Sequence, residues 1–225
     1  MRIIYTLLLL LITCYGAAAQ GNNQTEPKTK EVTETLKHYN QRYHVLQDNP
    51  KLKHGPFTMG AAGWRSEGQY EMGKRSGLWS FYGWRDKLEY KFDFTTNQEV
   101  FADRKSDTIR NEVKVYQHGE LVKTKVGNRP FYFGGDSRMF FFLGKNIRYP
   151  IAAQRARVEG VAVISLDIDE DGKASNHEVV KKVGYGIDEE ALRAISLLPN
   201  EWVPAMIDGK PVKSRHYVPI KFTIH

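Results

Sequence analysis

Apolar and polar side chains alternate most regularly in the last third of the chain. Ala162, Ile164 and Leu166 would share one face of a strand, which predicts one buried face and one partly solvated face. A turn is predicted at residues 170–172, and Asp188 is predicted to cap a later helix. The predicted order is helix 151–158, strand 161–167, strand 174–183, helix 189–198 and strand 212–224, an α+β arrangement with an antiparallel sheet.

Residues 50–120 have a different pattern, in which aromatic side chains alternate with glycine-containing turns. Residues 69–72 and 78–82 are predicted to be the two strands of a hairpin, because the glycines between them can adopt the positive φ of a tight turn. Weaker strands are predicted at residues 89–94 and 112–116.

The region before these hairpins is polar at first and then partly apolar. Residues 20–40 are predicted to be a flexible leader, since apolar side chains are scarce in most of it. Val32, Leu36 and Tyr39 nevertheless recur at helical spacing, and Tyr43 continues the series. This stripe predicts a helix whose end could equally begin a strand.

The first 19 residues have the features of an export signal. Arg2 precedes a short apolar run, and three alanines end at Ala19. This order predicts a signal peptide over residues 1–19 that is cleaved after Ala19, and therefore a periplasmic or cell-envelope location. A second interpretation is that Cys14 is acylated as in a lipoprotein, although Thr13 departs from the small residue that usually precedes such a cysteine.

The composition and the missing motifs argue against nucleic-acid binding and catalysis. The formal net charge is +7, but basic residues are interleaved with acidic ones, so no nucleic acid partner is expected. Cys14 is the only cysteine, and its removal with the signal would leave no thiol nucleophile and no disulfide. No nucleophile elbow or phosphate loop is present. We therefore expect neither an enzyme nor a cofactor.

One acidic segment satisfies the pattern of a calcium-binding EF-hand loop. Its ligands would be Asp167, Asp169, Asp171 and Glu178. The flanking residues favour strands rather than helices, so an acidic hairpin tip explains the same residues better. The seven histidines show no zinc-ligand spacing with a third partner, and no metal is expected.

Glycine and aromatic residues recur at regular spacing within residues 41–125. They are Gly68, Tyr70, Gly73, Gly77, Trp79 and Tyr82. This pattern resembles the MORN-like hairpin repeats of Bacteroidota envelope proteins. The alternative interpretation is an unrelated antiparallel sheet packed on the C-terminal region.

Residues 129–225 contain eight short motifs. The motifs are Gly134-Gly135, Asn146-Ile147-Arg148-Tyr149-Pro150, Gly160-Val161-Ala162-Val163, Asp171-Gly172, Asp188-Glu189-Glu190-Ala191-Leu192-Arg193, Trp202-Val203-Pro204, Gly209-Lys210-Pro211-Val212 and Pro219-Ile220-Lys221-Phe222. They follow one another in the order seen in the TonB C-terminal domain family, which this region therefore resembles. The motif residues of this resemblance are Tyr149, Pro150, Gly160, Gly172, Trp202, Pro204 and Pro219.

The resemblance implies a protein that binds an extended segment of an outer-membrane TonB-dependent receptor, or of another envelope protein, alongside its last strand. Pro219 supports an edge position for that strand, because proline cannot donate to a ladder. No long proline-rich span is present, so energy transduction by this chain alone is not expected. The alternative is a structural envelope protein that binds cell wall or forms a homodimer. The predicted partner-binding residues are Ser214, Arg215, His216, Tyr217, Val218, Lys221 and Thr223.

Overall fold

A computed structural model describes residues 26–103 and 113–224. Two antiparallel sheets and three α-helices make up most of this part of the chain, which confirms the α+β class. The predicted signal peptide, Cys14 and the start of the predicted leader lie outside the described residues. Within them, no helix combines the length and the apolar character needed to span a membrane.

The first sheet has seven strands whose spatial order is their order in the sequence. The hairpin predicted around Gly73 is confirmed, with a shorter turn than predicted. The helix predicted from Val32 onward is wrong, and part of the predicted leader is strand. The strands are β1 (Thr29–Thr35), β2 (Asn40–Leu46), β3 (Lys53–Ala61), β4 (Trp64–Glu71), β5 (Lys74–Tyr82), β6 (Leu88–Asp93) and β7 (Gln98–Ala102).

Helical spacing was misleading here because Tyr43 and Val45 are buried on alternate positions of β2. That is the period of a strand with one covered face. Side chains on β1 are mostly exposed, so its polar composition reflects an outer strand. Backbone hydrogen bonding to β2 holds β1 in place along its whole length.

The remaining elements belong mainly to the C-terminal half. They are β8 (Val113–Gln117), β9 (Glu120–Thr124), β10 (Phe131–Tyr132), α1 (Gly135–Asn146), α2 (Ile151–Ala156), β11 (Gly160–Ile168), β12 (Ala174–Lys181), α3 (Ile187–Ser196), β13 (Trp202–Val203), β14 (Ala205–Ile207), β15 (Lys210–Val212) and β16 (Ser214–Phe222).

The second sheet has five strands in the order β12-β11-β16-β8-β9. The β8–β9 hairpin therefore belongs to this sheet, although sequence reasoning had assigned residues up to 125 to the N-terminal region. Ala162, Ile164 and Leu166 on β11 are fully buried, as the alternation predicted. They form one core with residues of α3 and of the inner face of β16.

Two local predictions about this half are corrected. Val212 lies in the β14–β15 hairpin, so the last strand begins only at Ser214. Asp188 is not the N-cap, because α3 begins at Ile187 after Gly186 in the left-handed region. The Asp188 carboxylate instead accepts hydrogen bonds from backbone N–H groups of the preceding loop.

The two sheets meet at an aromatic junction around α1. Arg138 of α1 is 1% exposed and donates hydrogen bonds to the Phe133 carbonyl and to Glu201, both at 2.6 Å. Its guanidinium lies 5.2 Å from the Tyr132 ring centroid and 5.5 Å from that of Trp64. Because Trp64 belongs to the first sheet and Glu201 to the C-terminal half, Arg138 connects the two.

Candidate functional site

The candidate site is the side of β16 that faces away from β11. Antiparallel pairing with β11 covers all of β16, from Gly160 opposite Phe222 to Ile168 opposite Ser214. Along β16, Val218 and the other apolar residues that share its face are buried. Tyr217, Pro219 and Lys221 alternate with them on the outer face.

The β8–β9 hairpin occupies the beginning of this side. Val115 and Lys114 pair with Ser214 and Arg215, and the Tyr116 N–H donates to the Lys213 carbonyl at 2.9 Å. The prediction of an edge strand is therefore wrong at the start of β16. From residue 216 to the end of the strand, no described strand pairs with this side.

The direction of the backbone groups identifies what this open edge offers. In an antiparallel ladder, the N–H and C=O of one residue face the same neighbour, and successive residues alternate. Since the Lys213 carbonyl faces β8, Tyr217, Pro219 and Lys221 turn their backbone groups away from β11. Pro219 lacks an N–H, which is tolerated on an open edge because the ladder with β11 loses nothing.

Buried polar contacts fasten the hairpin to the outer face of the sheet. The Asp167 carboxylate is fully buried and accepts hydrogen bonds from Arg215 Nε at 2.8 Å, Tyr116 Oη at 2.7 Å and Asn176 Nδ2 at 2.9 Å. Burial raises the pKa of Asp167, but these hydrogen bonds outweigh that effect and hold the pKa below its ordinary value. The Asp167–Arg215 pair is therefore ionised at neutral pH and retains Tyr116.

The acidic segment that matches the EF-hand pattern forms a hairpin between two strands. Asp167 is engaged by protein donors, and Asp169 accepts hydrogen bonds from the N–H groups of Asp171 and Lys173 at the hairpin turn. Strands flank the turn on both sides. Within the described residues, no cluster of His, Cys, Asp or Glu side chains is suited to hold a metal ion.

His216 lies where the open edge begins. Its ring centroid is 5.3 Å from that of Trp202. Burial lowers the pKa of His216 to about 4, and the charge of Arg129 contributes. The imidazole is therefore neutral at pH 7 and serves as a packing group.

The predicted family-motif residues mainly maintain the fold. Tyr149 donates a hydrogen bond to the Val158 carbonyl at 2.7 Å and packs edge-on against Phe222. Gly172 has φ +75°, and a Cβ there would lie 2.1 Å from the Trp202 carbonyl oxygen. Of the motif residues, only Pro219 lies on the open edge.

Apart from His216, which packs against Trp202, the predicted partner-binding residues separate into three groups. Ser214 and Val218 are buried and cannot contact a partner through their side chains. Arg215 is held by Asp167. The accessible candidates are Tyr217, Lys221 and Thr223.

Sequence reasoning missed Lys114 and Tyr116, which reach the outer face beside the edge. Lys114 Nζ lies 5.6 Å from the Tyr217 ring centroid. The predicted strand at residues 112–116 contained both side chains, but only the tertiary pairing brings them to β16.

Comparison with known proteins supports one family for this half of the chain. The family described as Gram-negative bacterial TonB protein C-terminal matches residues 145–224. Protein TonB of Vibrio cholerae is 30% identical over 80 residues, which are 34% of this chain and 31% of that protein. One NMR solution structure of the Helicobacter pylori TonB C-terminal domain is 26% identical to this chain; the match covers 38% of this chain and 89% of that domain, with a TM-score of 0.29. A second NMR structure of the same domain is 25% identical; the match covers 41% of this chain and 86% of that domain, with a TM-score of 0.28.

Proposed function

We propose that this chain, whose residues 145–224 belong to the TonB C-terminal domain family, is a cell-envelope binding protein that takes part in TonB-dependent transport. Its partner is an extended segment of an outer-membrane receptor, which adds as a strand to the open edge of β16. The observation that carries this proposal is the unpaired side of β16 after Arg215, within a domain of that family. Strand addition uses the backbone groups that such an edge leaves free.

The outer face supports the same role. Tyr217 and Lys221 stand beside the open edge, where side chains of an added strand would be their cross-strand neighbours. The inner face of β16 is already packed against the core. A bound strand would therefore be recognised through backbone groups and through its outer-face side chains.

For the first sheet we retain the MORN-like interpretation as part of this proposal. Its support is the hairpin formed by β4 and β5, in which the Trp79 indole packs over Gly68. A Cβ at Gly68 would lie 2.1 Å from Trp79 Cδ2. This contact gives a physical reason for pairing glycine on one strand with tryptophan on the next.

The test is a pull-down from envelope extract with residues 20–225 as bait. We expect enrichment of an outer-membrane receptor that its own N-terminal peptide displaces. The matched variant replaces Lys221 and Thr223 with proline, which removes N–H groups from the open side and spares the ladder with β11. It should keep the circular dichroism spectrum of the parent and lose the receptor.

Two results would contradict the proposal. One is unchanged receptor capture by a folded Lys221→Pro/Thr223→Pro variant, because strand addition needs those donors. The other is capture of only cell-wall fragments or further copies of this protein. The second result would favour the structural alternative.

A further inference from the structure

Basic side chains lie along the outer face beside the open edge of β16. Lys114, Lys213 and Lys221 are all on the outer face, because Lys114 pairs with Arg215 and the other two alternate with buried positions of β16. Lys114 Nζ lies 5.6 Å from the Tyr217 ring centroid, and Lys213 Nζ lies 4.7 Å from the Tyr116 ring centroid. Within the part of the chain that the structure describes, none of the three lysines forms an ion pair.

Among the described residues, no acidic side chain forms an ion pair with these lysines. Asp167 is already paired with Arg215. Glu159 lies at the end of β16 where Lys221 is, not where β8 ends, and accepts a hydrogen bond from the Ile224 N–H. Glu178 is on β12, on the opposite side of β11 from β16, and adjacent strands are about 4.8 Å apart. Within the described residues, the outer face where the open edge begins is therefore positively charged.

The hairpin also limits how long an added strand can be. β8 pairs with β16 as far as Arg215, so a new ladder begins after it and uses the outward backbone groups of Tyr217, Pro219 and Lys221. Opposite Pro219 the partner finds an acceptor but no donor. A strand of about seven residues would fill this edge at roughly 3.4 Å per residue.

We propose that the open edge selects an extended segment with acidic side chains on its outer face, and that Lys114 of the β8–β9 hairpin supplies part of this selection. The inference rests on the proposed strand addition and adds the chemical character of the partner. Opposite charges on neighbouring strands stabilise pairing, whereas like charges oppose it. The hairpin lies outside residues 145–224, so the selectivity comes from an element beyond the family domain.

The experiment uses two fluorescein-labelled seven-residue peptides that alternate valine with either aspartate or asparagine. Binding to residues 20–225 is measured by fluorescence anisotropy at low and high salt. The aspartate peptide should bind about fivefold more tightly at low salt, and the difference should shrink at high salt. Lys114→Glu and Lys221→Glu should each reduce that preference, whereas Lys74→Glu, at an exposed position of β5, should leave it unchanged.

The outcomes separate this inference from the function on which it rests. If the parent protein binds the two peptides equally and the Lys221→Pro/Thr223→Pro variant binds neither, strand addition is supported and the proposed selectivity is contradicted. An unaltered preference in both Lys114→Glu and Lys221→Glu would also overturn it. Failure of both peptides to bind the parent protein would contradict both the proposed strand addition and the proposed selectivity. Lys221 is exposed, so its variant tests the proposal even where Lys114→Glu perturbs the hairpin.

Discussion

The two sheets are assembled in opposite ways. In the first sheet every strand pairs with its neighbour in sequence, whereas in the second β16 lies between β11 and the β8–β9 hairpin, both distant along the chain. Sequential pairing leaves a sheet whose edges are its first and last strands. Non-sequential pairing leaves an interior strand that is only partly covered. The difference shows how an unpaired edge can arise within a sheet.

The largest expected effect comes from breaking the packing of the first sheet at Gly68. A methyl group there overlaps the Trp79 indole, so Gly68→Ala should lower the free energy of unfolding by about 3 kcal/mol. Urea denaturation measures the change. Gly144→Ala is the control, because a Cβ at this helical position meets nothing within 4 Å and alanine favours helix. Equal stability of the two variants would contradict the packing argument.

The junction between the sheets gives the next effect. Arg138→Met removes a buried cation that bonds the Phe133 carbonyl and Glu201. We expect a loss of about 2 kcal/mol, less than for a fully buried ion pair because Glu201 is partly exposed and regains water. Thermal unfolding should also become less cooperative, with separate transitions for the two halves. A single transition at the parent temperature would show that Arg138 does not couple them.

A smaller effect concerns the second sheet and pH. The pKa of His216 is lowered to about 4 in the fold, whereas the ordinary value is 6.5. Below 6.5 the unfolded chain binds a proton that the folded chain does not, so stability is present above this value and falls as pH drops toward 4. Between pH 7 and 5.5 the loss should be about 1 kcal/mol. His216→Gln should lack this slope; an unchanged slope would contradict the assignment.

The smallest expected effect tests whether the hairpin stays in place during binding. Ser214 and Val115 are directly opposite, and cysteines at both positions can form a disulfide that locks β8 to β16. Residues 20–225 contain no other cysteine. We expect the oxidised and reduced forms to bind the aspartate peptide within about twofold of each other, since the edge beyond Arg215 is untouched. Binding only after reduction of the disulfide would mean that the β8–β9 hairpin must detach from β16 before the peptide can bind.

Local patterns predicted much of the second sheet's core. The alternation of Ala162, Ile164 and Leu166 located β11 and its buried face. The resemblance to the TonB C-terminal domain family is confirmed for residues 145–224, whereas the MORN-like resemblance stays a prediction. The same approach failed for the stripe that begins at Val32, because four-residue and two-residue spacings coincide over a short segment. Receptor recognition by Tyr217, Lys221 and Thr223 stays a prediction.

The sequence alone determined which segments become strands around Gly73 and along β11, since turn chemistry and apolar alternation are properties of neighbouring residues. The match of residues 145–224 to the TonB C-terminal family model likewise follows from the sequence alone. Only the tertiary structure decided that β8 covers the start of β16 and that the open edge begins after Arg215. The physical reason is that register between distant strands depends on side chains that meet only in the fold, such as Asp167 and Tyr116.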